Sequence, residues 1–244
     1  MTDAIEVPTR GGVLARYRPI RASVQAVLRQ AVRQCKKPDF DRAAKHLDLV
    51  DDAQLDDEET FAMLCDVALF EPNQRRRRVI DGFLARHIDT VAPTDREVAR
   101  RLGSAFLSIF RVAGWHEAGG VWLDDLLDAE RRIWLMDEGL EASAPEGLVV
   151  ALRVFDAGPF HCGFGIVVQP DEEAVAFCTA AAVRGHPMPV RHSLAAALYG
   201  DAIVRSAAPV AVEALMDLLD EAEASLTARP EPILSRRSKV ARKA

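Results

Sequence analysis

FLSIFRVAGWHEAGGVWLDDLLDAERRIWLMD, residues 106–137, is the stretch on which the fold turns. Aromatic and β-branched residues dominate 105–112, and the Gly-rich segment 114–120 can reverse the chain. A second β-prone run covers 121–127, Asp128-Ala129-Glu130 closes it, and 132–137 forms a third. Two further runs, 148–155 and 160–168, flank Asp156-Ala157-Gly158-Pro159. Five short strands joined by short turns predict one continuous antiparallel sheet over 104–169, with Asp128-Ala129-Glu130 at a hairpin tip. A sheet of this size curls into a small barrel, SH3-like or OB-like.

Outward from this stretch the chain reads as helical. Pro19 suits a first helical turn, and Val24, Val27, Leu28, Ala31 and Val32 recur at helical spacing, which predicts a helix over 19–36. Lys37-Pro38-Asp39 breaks it and caps a short helix carrying Phe40, Ala43, Ala44 and Leu47. Phe61, Leu64, Cys65, Ala68 and Leu69 form the next stripe, closed by Glu71-Pro72-Asn73. Another helix is expected from Gln74, presenting Val79, Ile80, Phe83, Leu84 and His87. Thr94-Asp95-Arg96-Glu97 has the pattern of a capping box. After Pro170, helices are expected at 171–183, 189–199 and 208–224. The class is therefore α+β: a helical region 1–103, a five-stranded antiparallel barrel 104–169, C-terminal helices 170–228 and a disordered basic tail 229–244.

The chain has 244 residues, of which 49% are hydrophobic, so a sizeable core can form without staples. Cys35, Cys65, Cys162 and Cys178 are scattered, with no C-x-x-C pair, so neither a disulfide framework nor a zinc site is indicated. MTDAIEVPTRGG lacks a secretory pattern and the apolar runs are broken by charges such as Arg153, Glu213 and Asp217, so a cytoplasmic protein without membrane contact is expected. The net charge of −6 argues against a protein devoted throughout to nucleic acid. Its distribution is uneven. Residues 1–37 carry eight cations against Asp3 and Glu6, residues 39–71 carry eleven carboxylates against Arg42 and Lys45, and the tail from Arg229 is basic again.

The stretches FLSIFRVAGWHEAGGVWLDDLL, RRIWLMDEGLEAS and PEGLVVALRVF resemble a small-barrel segment of a family of uncharacterised bacterial proteins and, more loosely, the barrel found beside SEC-C motifs. Leu-Asp-Asp-Leu-Leu and Asp-Glu-Gly-Leu-Glu-Ala-Ser are the distinctive pieces. The cysteine-rich metal motif of SEC-C is absent here, so the resemblance implies a fold and no zinc site.

Candidate binding residues concentrate in the barrel: Trp115, His116, Trp122, Trp134, Asp137, Glu138 and Glu141. Trp122 and Trp134 flank one turn and are expected as cross-strand neighbours. Exposed, they could stack a base or a peptide aromatic; the surrounding helices favour their burial. Asp137, Glu138 and Glu141, joined across the hairpin by Asp124, Asp125 and Asp128, could offer oxygens to Mg²⁺, but Asp137-Glu138-Gly139 also reads as a plain turn, so no metal site and no cofactor is expected. Arg75 to Arg78 occupy successive positions of an expected helix and would point in four directions, forming no single patch. The tail residues Arg236, Arg237, Lys239, Arg242 and Lys243 are the better candidates for phosphate contact.

His161 and Cys162 are strand neighbours facing opposite sides, so they make no dyad, and Gly163-Phe164-Gly165 reads as a bulge or a close approach. No P-loop, nucleophile elbow or H-E-x-x-H pattern occurs. The resulting reading is a non-enzymatic interaction module that binds a protein partner or, second, RNA. The alternative is a hydrolase or other enzyme with a carboxylate or metal-assisted site at the barrel loops.

Overall fold

The computed structural model describes residues 8–49, 55–129, 131–183 and 193–207. The chain divides into two compact units, Met1–Arg205 and Ser206–Ala244. The elements below belong to the first, apart from the last two residues of the final helix.

Alternation makes the barrel. In β1 (Phe106–Trp115), Phe110 and Val112 face one interior while Leu107 and Ile109 pack outward. β2 (Val121–Asp125) turns Val121 and Leu123 inward, β3 (Arg132–Met136) turns Ile133 and Leu135 inward, and β4 (Val149–Asp156) adds Val150, Leu152 and Val154. In β5 (His161–Val168), Gly163 faces that interior, where a Cβ would come within 2.9 Å of Leu152. The order β1-β2-β3-β5-β4 closes on itself because β4 pairs back with β1.

The sheet is mixed, which corrects the expected all-antiparallel meander. β3 and β5 run parallel, Leu135 opposite His161 and Met136 opposite Cys162. The geometry requires it. β2 is antiparallel to β1 and β3 to β2, so β3 shares the direction of β1; β4 is antiparallel to β1 and β5 to β4, so β5 shares it too. The chain reaches β4 from β3 through helix α6 (Glu138–Ser143), where a turn was expected. Asp137 accepts from the amides of Gly139 and Leu140 at 2.9 and 3.0 Å, so it caps a helix rather than closing a hairpin.

The N-terminal helices are α1 (Arg10–Val32), α2 (Lys37–His46), α3 (Glu58–Phe70), α4 (Val79–His87) and α5 (Arg96–Leu102), followed after the barrel by α7 (Glu172–Val183) and α8 (Leu194–Ala207). α1 starts well before Pro19, which lies inside it. The Thr9 cap and the burial of Val13 and Tyr17 outweigh the roughly 3 kcal/mol penalty of an interior proline. The helix expected from Gln74 begins only at Val79. Thr94 and Glu97 form no capping box: the Asp95 carboxylate between them accepts from Ser23 at 2.6 Å, and Glu97 pairs with Arg101 at 2.9 Å. The helix expected at 189–199 runs Leu194–Ala207, and the one expected at 208–224 lies outside the described residues, as does the tail.

Two apolar clusters join this helical frame to the outside of the barrel. One sets Val13, Val24, Leu69 and Phe83 against Met136, Phe155, Cys162 and Phe164; the other sets Ala43, Val67 and Tyr199 against Ile109, Ala151 and Val168. Between them Arg153 points outward from β4, only 4% exposed. It donates to Asp66 at 2.9 Å and to Glu71 at 3.0 Å and lies over the Phe70 ring. No described helix is long and apolar enough to cross a membrane.

Candidate functional site

The outer surface of β2 and β3 is the part of the barrel exterior on which half-buried aromatics gather. Trp122 stands directly opposite Trp134, as the hairpin reading expects. The helices cover these rings only in part, since both are half-buried. His116, from the β1–β2 loop, stacks on Trp134 with ring centroids 3.7 Å apart and planes within 7°, and its centroid lies 5.0 Å from that of Trp122. Three rings therefore form one cluster. Trp115, 57% exposed, stands at the loop edge and donates from Nε1 to the Glu141 carbonyl at 3.3 Å.

The loop that carries His116 is held by its own backbone. His116 N donates to the Gly120 carbonyl and Gly119 N to the His116 carbonyl, at 3.0 and 2.9 Å, while Trp134 Nε1 donates to the Gly119 carbonyl at 2.8 Å. Gly120 has a φ of +79°, and a Cβ there would run into the Leu135 carbonyl, so the close approach of loop and β3 needs glycine. Ala118 N donates to His116 Nδ1 at 3.0 Å, which marks Nδ1 as the unprotonated nitrogen. Partial burial lowers the His116 pKa, opposed by Glu117, so the stacked ring is favoured neutral.

Beside Trp134 lies a cavity of about 420 Å³, walled by the start of α1 (Thr9, Gly12, Val13, Arg16) and by Pro159 and Phe160 of the β4–β5 connection. Phe160 meets Trp134 edge-on at 5.7 Å. Around this face Arg16 and Arg111 are exposed, and Arg132 is exposed but paired to Asp124.

The acidic candidates do not converge. Glu138 pairs with Arg18 at 2.9 Å and Glu141 with Arg10 at 3.1 Å, both from α1, and Arg18 holds the Glu138 carboxyl below its ordinary pKa. Asp137 is spent on the α6 cap. Asp124, Asp125 and Asp128 sit at the other end of the hairpin, since Asp124 is opposite Arg132 whereas Val121 is opposite Leu135. Asp125 is buried and holds that tip, accepting from Ser108 at 2.6 Å and from Arg131 at 2.6 Å. Among the described residues no three His, Cys, Asp or Glu side chains gather as a metal site. Cys162 is buried, which pushes its thiol up to about 12, and His161 is half-buried beside it. Gly163 and Gly165 lie at a close approach and an irregular β4–β5 register, Gly165 with φ +74°.

Arg75 to Arg78 do not lie on a helix: they form the turn before α4. The signal that could have shown this is Asn73, whose side chain ties down the turn amides. Arg236, Arg237, Lys239, Arg242 and Lys243 lie outside the described residues.

A family model matches residues 13–173, from the first buried turn of α1 to the start of α7. The chain belongs to a family of unknown function, DUF7986. The DUF7986 span contains the whole barrel, the ring cluster, the Arg75–Arg78 turn and the buried Arg153 cluster. No curated protein and no solved structure matches the chain.

Proposed function

We propose that this protein is a non-enzymatic binding module whose barrel takes single-stranded nucleic acid across the outer face of β2 and β3. Of the two barrels expected, the OB-like one fits the closed order β1-β2-β3-β5-β4 with a helix between β3 and β4. In that architecture the β2–β3 face and the β1–β2 and β4–β5 loops are the ligand surface. The observation that carries the reading is the ring cluster His116–Trp122–Trp134 on that same face, with exposed Trp115 at the loop edge. Base–aromatic stacking contributes about 1–3 kcal/mol per base and tolerates any sequence. Exposed Arg16 and Arg111 add positive charge for a phosphate backbone.

A protein partner, first in the reading of the sequence, has less to support it here, because exposed Arg16 and Arg111 lie around the aromatic surface. The enzyme alternative draws no support from Asp137, Glu138 and Glu141, each already engaged by an arginine or a backbone amide. The likeness to the barrel beside SEC-C motifs adds no ligand to either reading.

Fluorescence anisotropy with labelled oligo(U) and oligo(dT) at low salt tests the proposal. Trp122→Ala should weaken binding by about tenfold, the stacking contribution of one base, while leaving the melting temperature close to that of the parent. Equal binding by parent and variant would remove the barrel face from the account.

A further inference from the structure

The arginine turn before α4 builds a second site. Lys36, Arg76, Arg77, Arg78 and Arg86 line one cavity of about 430 Å³, together with Gln34, Asn73, Asp39 and Asp81. Five cations face two carboxylates in a chain whose net charge is −6. Both carboxylates are already engaged. Asp81 receives two bonds from Arg78 at 2.9 and 2.6 Å; Asp39 receives Arg42 at 3.2 Å and the Lys36 amide at 3.0 Å. The side chains of Lys36, Arg76, Arg77 and Arg86 make no hydrogen bond or ion pair among the described residues, so four cations face the cavity without a partner.

The turn is held in place before any ligand arrives. Asn73 Oδ1 accepts from the amides of Arg75 and Arg77 at 2.9 and 3.1 Å, and Arg76 N donates to the Asn73 carbonyl at 2.8 Å. Arg78 is anchored through the Gly103 carbonyl at 2.8 Å. Arg76 has a φ of +57°, a conformation that disfavours any side chain, and an arginine stands there all the same. Arg86 reaches back over Gly82, where a Cβ would lie 2.9 Å from its Nη2.

We propose that this cavity binds a polyphosphate group, as carried by a nucleoside di- or triphosphate or by inorganic polyphosphate. A single phosphodiester carries one negative charge and would leave most of the four cations uncompensated, whereas adjacent phosphoryl groups present several charges and many acceptor oxygens to guanidinium forks in a small volume. No aromatic side chain lines the cavity, so no ring there stacks a base. It lies by Gln34 and Lys36, beyond the C-terminal end of α1, and the Trp134 cavity lies at Thr9 and Gly12, at the start of that helix. At about 1.5 Å per helical residue the two are roughly 30 Å apart, so the proposal does not depend on the reading of the barrel face.

Isothermal titration calorimetry of the full chain with sodium tripolyphosphate, ATP and oligo(U) at low ionic strength tests it. Saturable binding of tripolyphosphate is expected, with a steep loss in added salt. Arg76→Gly, which suits the left-handed backbone, and Arg77→Gln should each weaken it about tenfold, the scale of a charge-assisted hydrogen bond. Gly82→Ala should weaken it by displacing Arg86, and Trp122→Ala should leave it unchanged. ATP bound more tightly than tripolyphosphate assigns a nucleotide; equal affinities assign the phosphate chain alone. The proposal is overturned by no saturable heat, by unaltered affinity in a folded Arg76→Gly/Arg77→Gln double variant, or by oligo(U) binding this site more tightly than tripolyphosphate.

Discussion

Arg132 and Arg153 both point outward from strands of one barrel, and their surroundings could hardly differ more. Arg132 leaves β3 on the open side; its side chain is 61% exposed and, among the described residues, pairs with Asp124 alone. Arg153 leaves β4 under the helical frame, where it is 4% exposed and engages Asp66, Glu71 and the Phe70 ring. The residue type is identical, so the covering layer decides what each arginine does. Where helices lie over the barrel, a polar side chain becomes part of the joint between layers. On β2 and β3, where cover is partial, rings and cations stay within reach of a ligand.

That contrast sets the size of each expected effect. Arg153→Met leaves buried Asp66 and half-buried Glu71 without their cation, and should cost about 3–5 kcal/mol in urea denaturation. A loss below 1 kcal/mol would mean that the covered side is not a joint. Next comes Gly120→Ala, at roughly 2–4 kcal/mol, because both the positive φ and the Leu135 carbonyl oppose a methyl group. An unchanged midpoint for that variant would show the ring-bearing loop to be more pliant than its hydrogen bonds suggest.

A smaller effect is expected from pH. Burial depresses the pKa of His116 below its ordinary 6.5, so the neutral ring contributes stability that is present above that value and lost as pH falls through and below it. His161 is shifted in the same direction for the same reason. The melting temperature should therefore drop between neutral pH and pH 5, and His116→Gln and His161→Gln should each remove part of that slope. The carboxylates held low by arginines, Asp124 and Glu138, add their loss only at more acidic pH, beneath their ordinary 3.8 and 4.5. Smallest of all, Arg132→Met should leave the urea midpoint close to that of the parent, and closer still in salt. A cost for Arg132→Met comparable to that for Arg153→Met would erase the distinction between the two sides.

The alternation of residues 106–168 made the strands legible, and with them the Trp122–Trp134 pair, because a half-buried strand writes its two faces into every second residue. The parallel β3–β5 contact was not legible. It follows from four antiparallel pairings taken together and from no local signal. Asp137-Glu138-Gly139 suits a turn and a helix cap equally well, and what selects the cap is a pair of amides that only the folded chain supplies. The start of α1 was hidden by Pro19, whose local penalty is outweighed by the Thr9 cap and by buried Val13 and Tyr17 on the N-terminal side of it. The apolar stripe Val79, Ile80, Phe83 and Leu84 marks a helix but not its start, because one side chain, Asn73, folds Arg75 to Arg78 into a turn before it. Strand register separates Asp124, Asp125 and Asp128 from Asp137, Glu138 and Glu141, because it puts them at opposite ends of a hairpin.

The central claim, that the partly covered β2–β3 face is a surface for single strands, is tested most directly by ultraviolet crosslinking of uridine oligonucleotides to the full chain, with peptide mapping by mass spectrometry. Crosslinks at Trp115, His116 or Trp122, lost on competition with unlabelled oligo(dT) and kept in the presence of tripolyphosphate, are the predicted result. Crosslinks confined to the helical frame or to residues 229–244, or none at low salt, would contradict it.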